Sequence, residues 1–461
     1  MARNWRKWPE LMKCRISLQR LARLALLISC FSWTDCARAD DFPSVQDSVP
    51  PLQLRPEPIL QNWLDVPDWL SLSFGYVNEI NGNPWGGLEQ TATYTHNLSL
   101  NMTASSGLAR SAEDWQEWDH WSLIANLSQR SGTSLSESIP NAQAVQQIFG
   151  YGQTFRLAGL WVERHQTESG LLKIKAGKVA TFDDFASSPL FCFYSNNGFC
   201  GQIWGIPNSL PVAAYPANQY GAVAHLGKTD STTLRYGIYQ INPDAFEPGY
   251  HGADFQLNAS RDGVAQFLQI DWPFARTLAL PVKQLDDGRV VRVPEDEKDL
   301  DFISGLPAPG VQLGGWLGRW DFPQLENPEQ WSARNDGVYG LVSLPLTLGD
   351  LALDGRLWAT ASYGFNPDVQ TIPVFVAAGW VGKGVLRRRP HDALVVGVTH
   401  ATWSSQTPSG QDWESILELG YQIALGDNAS IQPNLQFILN PNGTRERPDS
   451  IAIGVQMTVL F

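Results

Sequence analysis

The side chains best equipped for chemistry gather in two parts of the chain. In residues 178–219, Asp183, Asp184, Asn196 and Asn197 stand with Cys192, Cys200 and six aromatics between Phe182 and Phe199. Near the C-terminus, Glu418, Gln422, Gln432, Asn434 and Gln436 fall on alternating positions, and Gln456 and Thr458 continue the series. Carboxylates, carboxamides and hydroxyls exchange hydrogen bonds with water or a polar solute at little net cost. That suits transient contact rather than covalent turnover. His96, His120, His165, His225, His251, His391 and His400 are scattered. Their spacing forms no Ser/His/acid set and no metal-ligand cluster, so no catalytic residue, metal or cofactor is expected.

The elements that must position these groups read as strands. Ile451, Ile453, Val455, Met457, Val459 and Phe461 alternate with Ala452, Gly454, Gln456, Thr458 and Leu460. One face is wholly apolar and the other small or polar, and the length matches the roughly 9–11 residues of a tilted membrane-crossing strand. Such a strand at an open edge would aggregate, whereas closure into a barrel removes the edge. The same two-faced texture runs from Trp69 onward: Leu70, Leu72, Phe74 and Tyr76; Leu98, Leu100 and Met102; Trp121, Leu123, Ala125 and Leu127. In Leu171–Ala176, Lys173 and Lys175 share a face opposite Leu172 and Ile174, which puts two cations in the lumen. Asn141–Phe149 reads as a short helix within a loop. Residues 178–219 lack alternation, yet their aromatics and an expected disulfide argue for order, so they are expected to fold inward and narrow the pore.

Sixteen strands are expected in all: an all-β, transmembrane antiparallel β-barrel with an inward-folded constriction loop. With Phe461 at the periplasmic rim, the turns at 426–430 and 348–351 face the periplasm and the loops at 403–413 and 440–450 face outside. Residues 273–310 resist this scheme. They are long but fall on the periplasmic side, and hold a candidate hairpin around Asp287-Gly288. Either two short strands there join the barrel, or they form a periplasmic insert.

The chain begins with seven basic residues before a short apolar run, Leu24–Phe31, and an Ala37-Arg38-Ala39 site precedes Asp40. That order describes a secretory signal peptide over residues 1–39. Leu27-Ile28-Ser29-Cys30 offers a rival lipoprotein-type cut. Residues 40–68 are acidic and Pro-rich, an extended segment ahead of the barrel at 69–461. Residues 1–39 hold eight of the 33 Lys/Arg and two of the 46 Asp/Glu, leaving 25 basic against 44 acidic residues and a formal net charge of −19. A balance this acidic argues against nucleic acid as a partner. No later segment has eighteen consecutive apolar residues, so no transmembrane helix is expected. Only Cys192 and Cys200 follow the signal, and two cysteines eight apart in an exported chain suggest one disulfide.

Several stretches resemble the carbohydrate-selective porins of the OprB type. In the middle these are Gly177-Lys178, Asp183-Asp184-Phe185-Ala186, Tyr194-Ser195-Asn196-Asn197-Gly198-Phe199-Cys200-Gly201, Tyr215-Pro216, Tyr220-Gly221-Ala222 and Tyr239-Gln240-Ile241-Asn242-Pro243. Toward the end they are Gly379-Trp380-Val381-Gly382-Lys383-Gly384, Arg387-Arg388-Arg389-Pro390, Gln432-Pro433-Asn434-Leu435-Gln436-Phe437 and the Gly454-to-Phe461 ending. The 273–310 segment is longer than the family's norm.

The resemblance implies an outer-membrane channel passing sugars and other small hydrophilic solutes by passive diffusion. Asp183, Asp184, Asn196, Asn197, Lys173, Lys175, Glu418, Gln422, Gln432, Asn434 and Gln436 are the candidate pore-lining residues. The competing reading is a merely wet wall for Glu418, Gln422, Gln432, Asn434 and Gln436, a solvated face of a soluble sheet for Lys173 and Lys175, and packing of the loop onto the barrel wall for Asp183, Asp184, Asn196 and Asn197. The aromatics Phe182, Phe191, Phe193, Tyr194 and Trp204 either stack on sugars or pack the loop onto the barrel. Most of the nineteen Trp are expected in interfacial girdles. The expected partners are these solutes, outer-membrane lipid and, through Phe461, the barrel-assembly machinery; nothing indicates an oligomeric state. Two other functions compete: an unselective or ion-permeable porin, and a secreted soluble β-rich carbohydrate-binding protein.

Overall fold

Ile451–Phe461 becomes the closing edge of a cylinder. In the computed structural model, β18 pairs with the first strand from Gly75↔Leu460 to Trp85↔Ile451. Phe74 and Phe461 exchange backbone N–H···O bonds of 3.0 and 2.8 Å at the seam. Every backbone group there finds a partner, which is the condition for a sheet to stand in lipid. The structure describes residues 64, 66–67, 69–105, 120–166, 172–227, 232–274, 282–284, 290–292, 306–346, 352, 354–386, 388–426 and 428–461. The expected signal peptide, and nearly all of the Pro-rich segment, lie outside them.

The strands, in chain order, are β1 Leu70–Trp85, β2 Ala92–Ser105, β3 His120–Gly132, β4 Phe155–Gln166, β5 Leu172–Val179, β6 Gln219–Leu226, β7 Thr233–Ile241, β8 Gly263–Pro273, β9 Val282–Gln284, β10 Val290–Arg292, β11 Gly310–Pro323, β12 Trp331–Pro345, β13 Asp354–Gly364, β14 Val374–Lys383, β15 Ala393–Thr402, β16 Trp413–Ala424, β17 Ala429–Leu439 and β18 Ser450–Leu460. Sixteen of them close an antiparallel barrel, each beside its chain neighbour, with β8 joined directly to β11. β9 and β10 pair only with each other. Of the two readings open for residues 273–310, the one in which two short strands join the barrel is overturned: they make a two-stranded antiparallel sheet separate from the barrel sheet.

Alternation decides which side chain faces where. On β18, Ile453 and Val455 point outward while Ala452, Gly454, Gln456 and Thr458 are buried inward. Ile80, Leu123, Val162, Ile270, Leu317 and Val398 repeat the outward pattern around the wall. The belt they make is the surface that hydrocarbon wets. Short turns mark the periplasmic end of such barrels, so the end carrying Phe461 faces the periplasm. Trp69, Trp85, Trp121, Trp272 and Trp331 lie exposed at or beside strand ends, as girdle residues should. Trp161, Trp204, Trp316, Trp358, Trp380 and Trp403 are buried instead.

The apolar core sits inside the cylinder. It is built mainly by loop L3, residues 180–218, which folds inward as its sequence suggests. Phe182, Phe185, Phe191, Phe193, Tyr194, Phe199, Trp204 and Leu210 all lie in this core. Loop L2, residues 133–154, follows it in. The helix expected over Asn141–Phe149 does not form. Its amides are claimed elsewhere: the Ala142 and Gln143 N–H groups donate to the Glu414 carboxylate at 2.9 and 2.8 Å, and that of Gln147 to the Ser195 carbonyl at 3.0 Å. A carboxylate reached across the lumen outcompetes the local helical bond.

Candidate functional site

L3 lies on a wall cut to receive it. Phe185 meets Phe267 of β8 at 5.5 Å between ring centroids, Phe191 meets Trp358 of β13 at 4.9 Å, and Trp204 meets Phe375 of β14 at 6.0 Å. Tyr194 and Phe199 stack at 4.5 Å over Gly379 and Gly397. A Cβ at Gly379 would stand 2.2 Å from the Tyr194 hydroxyl, and one at Gly397 2.7 Å from both rings. The hydroxyl of Tyr194 donates to the Trp380 and Val396 carbonyls, and burial pushes its pKa above the ordinary phenol value. Of the two roles open to the L3 aromatics, packing is the one the geometry gives them.

The polar anchors are the residues expected to touch solute. Glu418 is fully buried, and its two oxygens accept the Ser195 and Asn196 N–H groups at 2.6 and 2.9 Å. Gln432 donates to the Phe193 carbonyl at 2.7 Å and accepts from Gln422 at 3.4 Å. Gln436 accepts from Asn196 at 3.0 Å, and donates to the Val145 carbonyl at 3.1 Å and to Asn434 at 3.4 Å. The N–H of Asn197 donates to the Ala144 carbonyl at 2.9 Å. Glu418, Gln432 and Gln436 were expected to contact solute or merely line a wet wall, and both readings are corrected; Asn196, expected to contact solute or to pack the loop onto the wall, packs it. The three strand residues face inward as the alternation requires, but their hydrogen-bonding groups hold L2 and L3.

The start of L3 is latched by charge. Lys175 reaches Asp184 at 3.0 Å and Asp183 at 3.8 Å, and lies over the Trp161 ring at 4.5 Å. His225 stands 3.4 Å from Asp184, and Arg235 donates to the Asp184 carbonyl at 2.9 Å while pairing with Asp271 at 2.7 Å. Lys173 pairs with Glu163 at 3.6 Å. Both lysines therefore face the lumen as expected, each against an acid. Burial alone would push the Asp184 pKa up, but Lys175, followed by His225, holds it well below the usual carboxylate range. A folded-state pKa below the unfolded one adds stability that is complete above the unfolded value, about 3.9, and lost only as pH falls through the lower folded value. Replacing His225 with Gln removes the one group of the latch that titrates near neutrality and leaves Lys175 to hold the carboxylate. In that variant, hydrogen-exchange protection of the Asp184–Ala186 amides, corrected for intrinsic exchange, is expected to stay constant from about pH 7 to pH 5; a fall inside that window contradicts the latch.

Cys192 and Cys200 are free thiols in the structure, so the expected disulfide is not formed. The spacing did bring them together. Burial, and then a hydrogen bond to Cys192, pushes the Cys200 thiol well above its ordinary pKa. Of the arginines at 387–389, Arg387 lies outside the described residues. Arg389 clamps its turn with two bonds of 2.9 Å to Asp392.

A second set of inward polar groups lies on β1–β3, which follow β18 around the barrel from the strands that anchor the L3 tip. Glu79, Asn81, Thr95, Asn101 and Asn126 face inward there, each with side-chain atoms that find no protein partner. Asn434 of β17 comes close to Asn81 beside Gly454. Arg130 lies 5.5 Å over the Tyr215 ring with its Nε unpartnered. The charges of Glu418 and Arg130 both reach Glu79. Enclosed polar atoms cost about 1–3 kcal/mol each when unsatisfied, so this cluster is one that a hydrogen-bonding partner would stabilise. Sequence reasoning passed over Glu79, Asn81, Asn101, Asn126 and Arg130. Their signal was present, since they oppose Ile80, Leu100 and Leu127 on strands with clean alternation.

Comparison with known proteins agrees with this architecture. The model of the carbohydrate-selective porin, OprB family matches residues 89–461. The chain is similar to Porin B of Pseudomonas aeruginosa, 24% identical over 417 residues that span 84% of this chain and 86% of that relative. Its fold resembles the high-pH structure of Pseudomonas putida OprB, with a TM-score of 0.69 and 21% identity, covering 87% of this chain and 96% of the other.

Proposed function

Since the chain belongs to the carbohydrate-selective porins of the OprB family, we propose that sugars cross the outer membrane along a furrow between the L3 tip and the β18–β3 wall. The observation that carries this reading is the row of inward polar atoms without protein partners at Glu79, Asn81, Asn101, Asn126 and Arg130. A sugar hydroxyl both donates and accepts, so it can replace water at each in turn. None of these bonds needs to be strong, and release requires that they are not. Arg130 and the Glu79 carboxyl offer donors and acceptors of the kind that neutral polyhydroxy solutes use. Passage is diffusion, with no catalytic step.

Residues 1–39 act in this proposal as the export signal, and Phe461, placed at the barrel seam beside Phe74, as the mark read by the barrel-assembly machinery. Small ions pass the same furrow with water.

Planar-bilayer recording of the purified chain tests the reading. Glucose is expected to reduce the ion current saturably, and Arg130→Met to weaken that block about tenfold, the worth of one hydrogen bond to a charged group. A current that no glucose concentration reduces removes the sugar site. Absence of any conductance removes the channel.

A further inference from the structure

A second charged cluster stands on the other surface of the wall, facing away from the lumen. On β11, Trp316 and Gly318 point inward, Trp316 beside Tyr339 and Gly318 toward Leu210 of L3. Leu313, Leu317 and Arg319 therefore point outward. Arg319 is the direct cross-strand neighbour of Arg334 on β12. Like charges placed so repel unless something holds them, and Asp336 does. Arg319 Nη1 donates to one of its oxygens, and Arg334 Nη2 and Nε donate to the other at 2.8 and 3.1 Å. Asp336 is buried beneath the pair, whereas the Arg319 and Arg334 side chains are 43% and 66% exposed. Two guanidiniums on one carboxylate leave the triad with one positive charge. Asp321 stands further out on β11, within the β-bulge between Arg319 and Phe322.

The height of the triad is fixed by its neighbours. Leu317 and Val338, one rung nearer the middle of the membrane, are exposed apolar side chains of the belt. Tyr363 is in register with Val338, and the Phe365 N–H donates to the Asp336 carbonyl at 2.9 Å. These two exposed aromatics lie 5.7 Å apart, at the level where hydrocarbon gives way to headgroups. The triad sits at the long-loop end, hence in the outer leaflet.

We propose that Arg319 and Arg334 bind the phosphate of an outer-leaflet glycolipid, with its acyl chains against Leu317 and Val338. Guanidinium forks match phosphate oxygens two by two, and Asp336 is the positioning residue that turns both forks outward. The proposal rests on the membrane reading above, and the conductance of each variant separates failure of that reading from failure of this one.

The test is native mass spectrometry of the detergent-extracted full chain after incubation with lipid A or dephosphorylated lipid A. Wild type is expected to retain lipid A and release the dephosphorylated form. Arg319→Gln/Arg334→Gln is expected to retain roughly tenfold less lipid A while conducting as wild type. Arg445→Gln, which removes an exposed arginine paired with Asp412 in another loop, is expected to retain it fully. Equal retention by the double variant, equal retention of the dephosphorylated lipid, or displacement by millimolar inorganic phosphate would each overturn the assignment.

Discussion

Replacing Glu418 with alanine is expected to detach the tip of L3 and raise the single-channel conductance, with frequent steps between two levels. The carboxyl group receives two backbone N–H groups, from Ser195 and Asn196. Hydrogen bonds to a charged acceptor are worth about 1.5–3 kcal/mol each, and both amides would be left buried without partners. A loss of about 3 kcal/mol raises the detached population more than a hundredfold. The barrel itself keeps its pairing, because the β16–β17 ladder runs through backbone atoms. Heat-modifiable mobility is therefore expected to persist. Glu418→Gln retains an acceptor for one of the two amides and falls between wild type and alanine. An Ala variant with unchanged conductance and unchanged exchange at Ser195 and Asn196 shows that the tip is held by something else.

Gly379→Val is the second large effect. The added Cβ would meet the Tyr194 hydroxyl at 2.2 Å and Trp358 at 2.9 Å. Overpacking of this kind costs about 1–3 kcal/mol, or more where the neighbours cannot yield. Tyr194 has little room, being stacked on Phe199 and bonded to two carbonyls. The strand, by contrast, tolerates valine well. The expected result is a destabilised loop in an intact barrel, read as lower exchange protection across residues 190–200 and a noisier open channel. Combining it with Tyr194→Ala should cost less than the sum of the two, since the clash is then gone. Strict additivity contradicts the steric account.

The barrel was legible in the sequence because lipid imposes a two-residue period on every strand, and Leu98–Met102 or Ile451–Phe461 carry it without interruption. The inward loop was legible from its aromatics, although the disulfide that also argued for its order is not formed. What failed was the division of labour among inward polar residues. Glu418, Gln432 and Gln436 read identically to Glu79, Asn81 and Asn101, since alternation assigns a face and not a partner. Which of two polar walls is covered depends on where L3 lies down. That is decided across hundreds of residues, by slots such as Gly379 and Gly397 that no local pattern marks as receiving Tyr194 and Phe199. The missed helix at Asn141–Phe149 has the same cause, a carboxylate on Glu414 far away in the chain.

The covering of one wall by L3 has a consequence for size exclusion. A barrel's circumference is set by its strand number, and here that number is sixteen. The bore is not, because L3 folds into the cylinder and fills part of it. Molecules of the same circumference can therefore differ widely in exclusion limit through a change at Ser195 or Asn196 alone, with no strand gained, lost or re-registered.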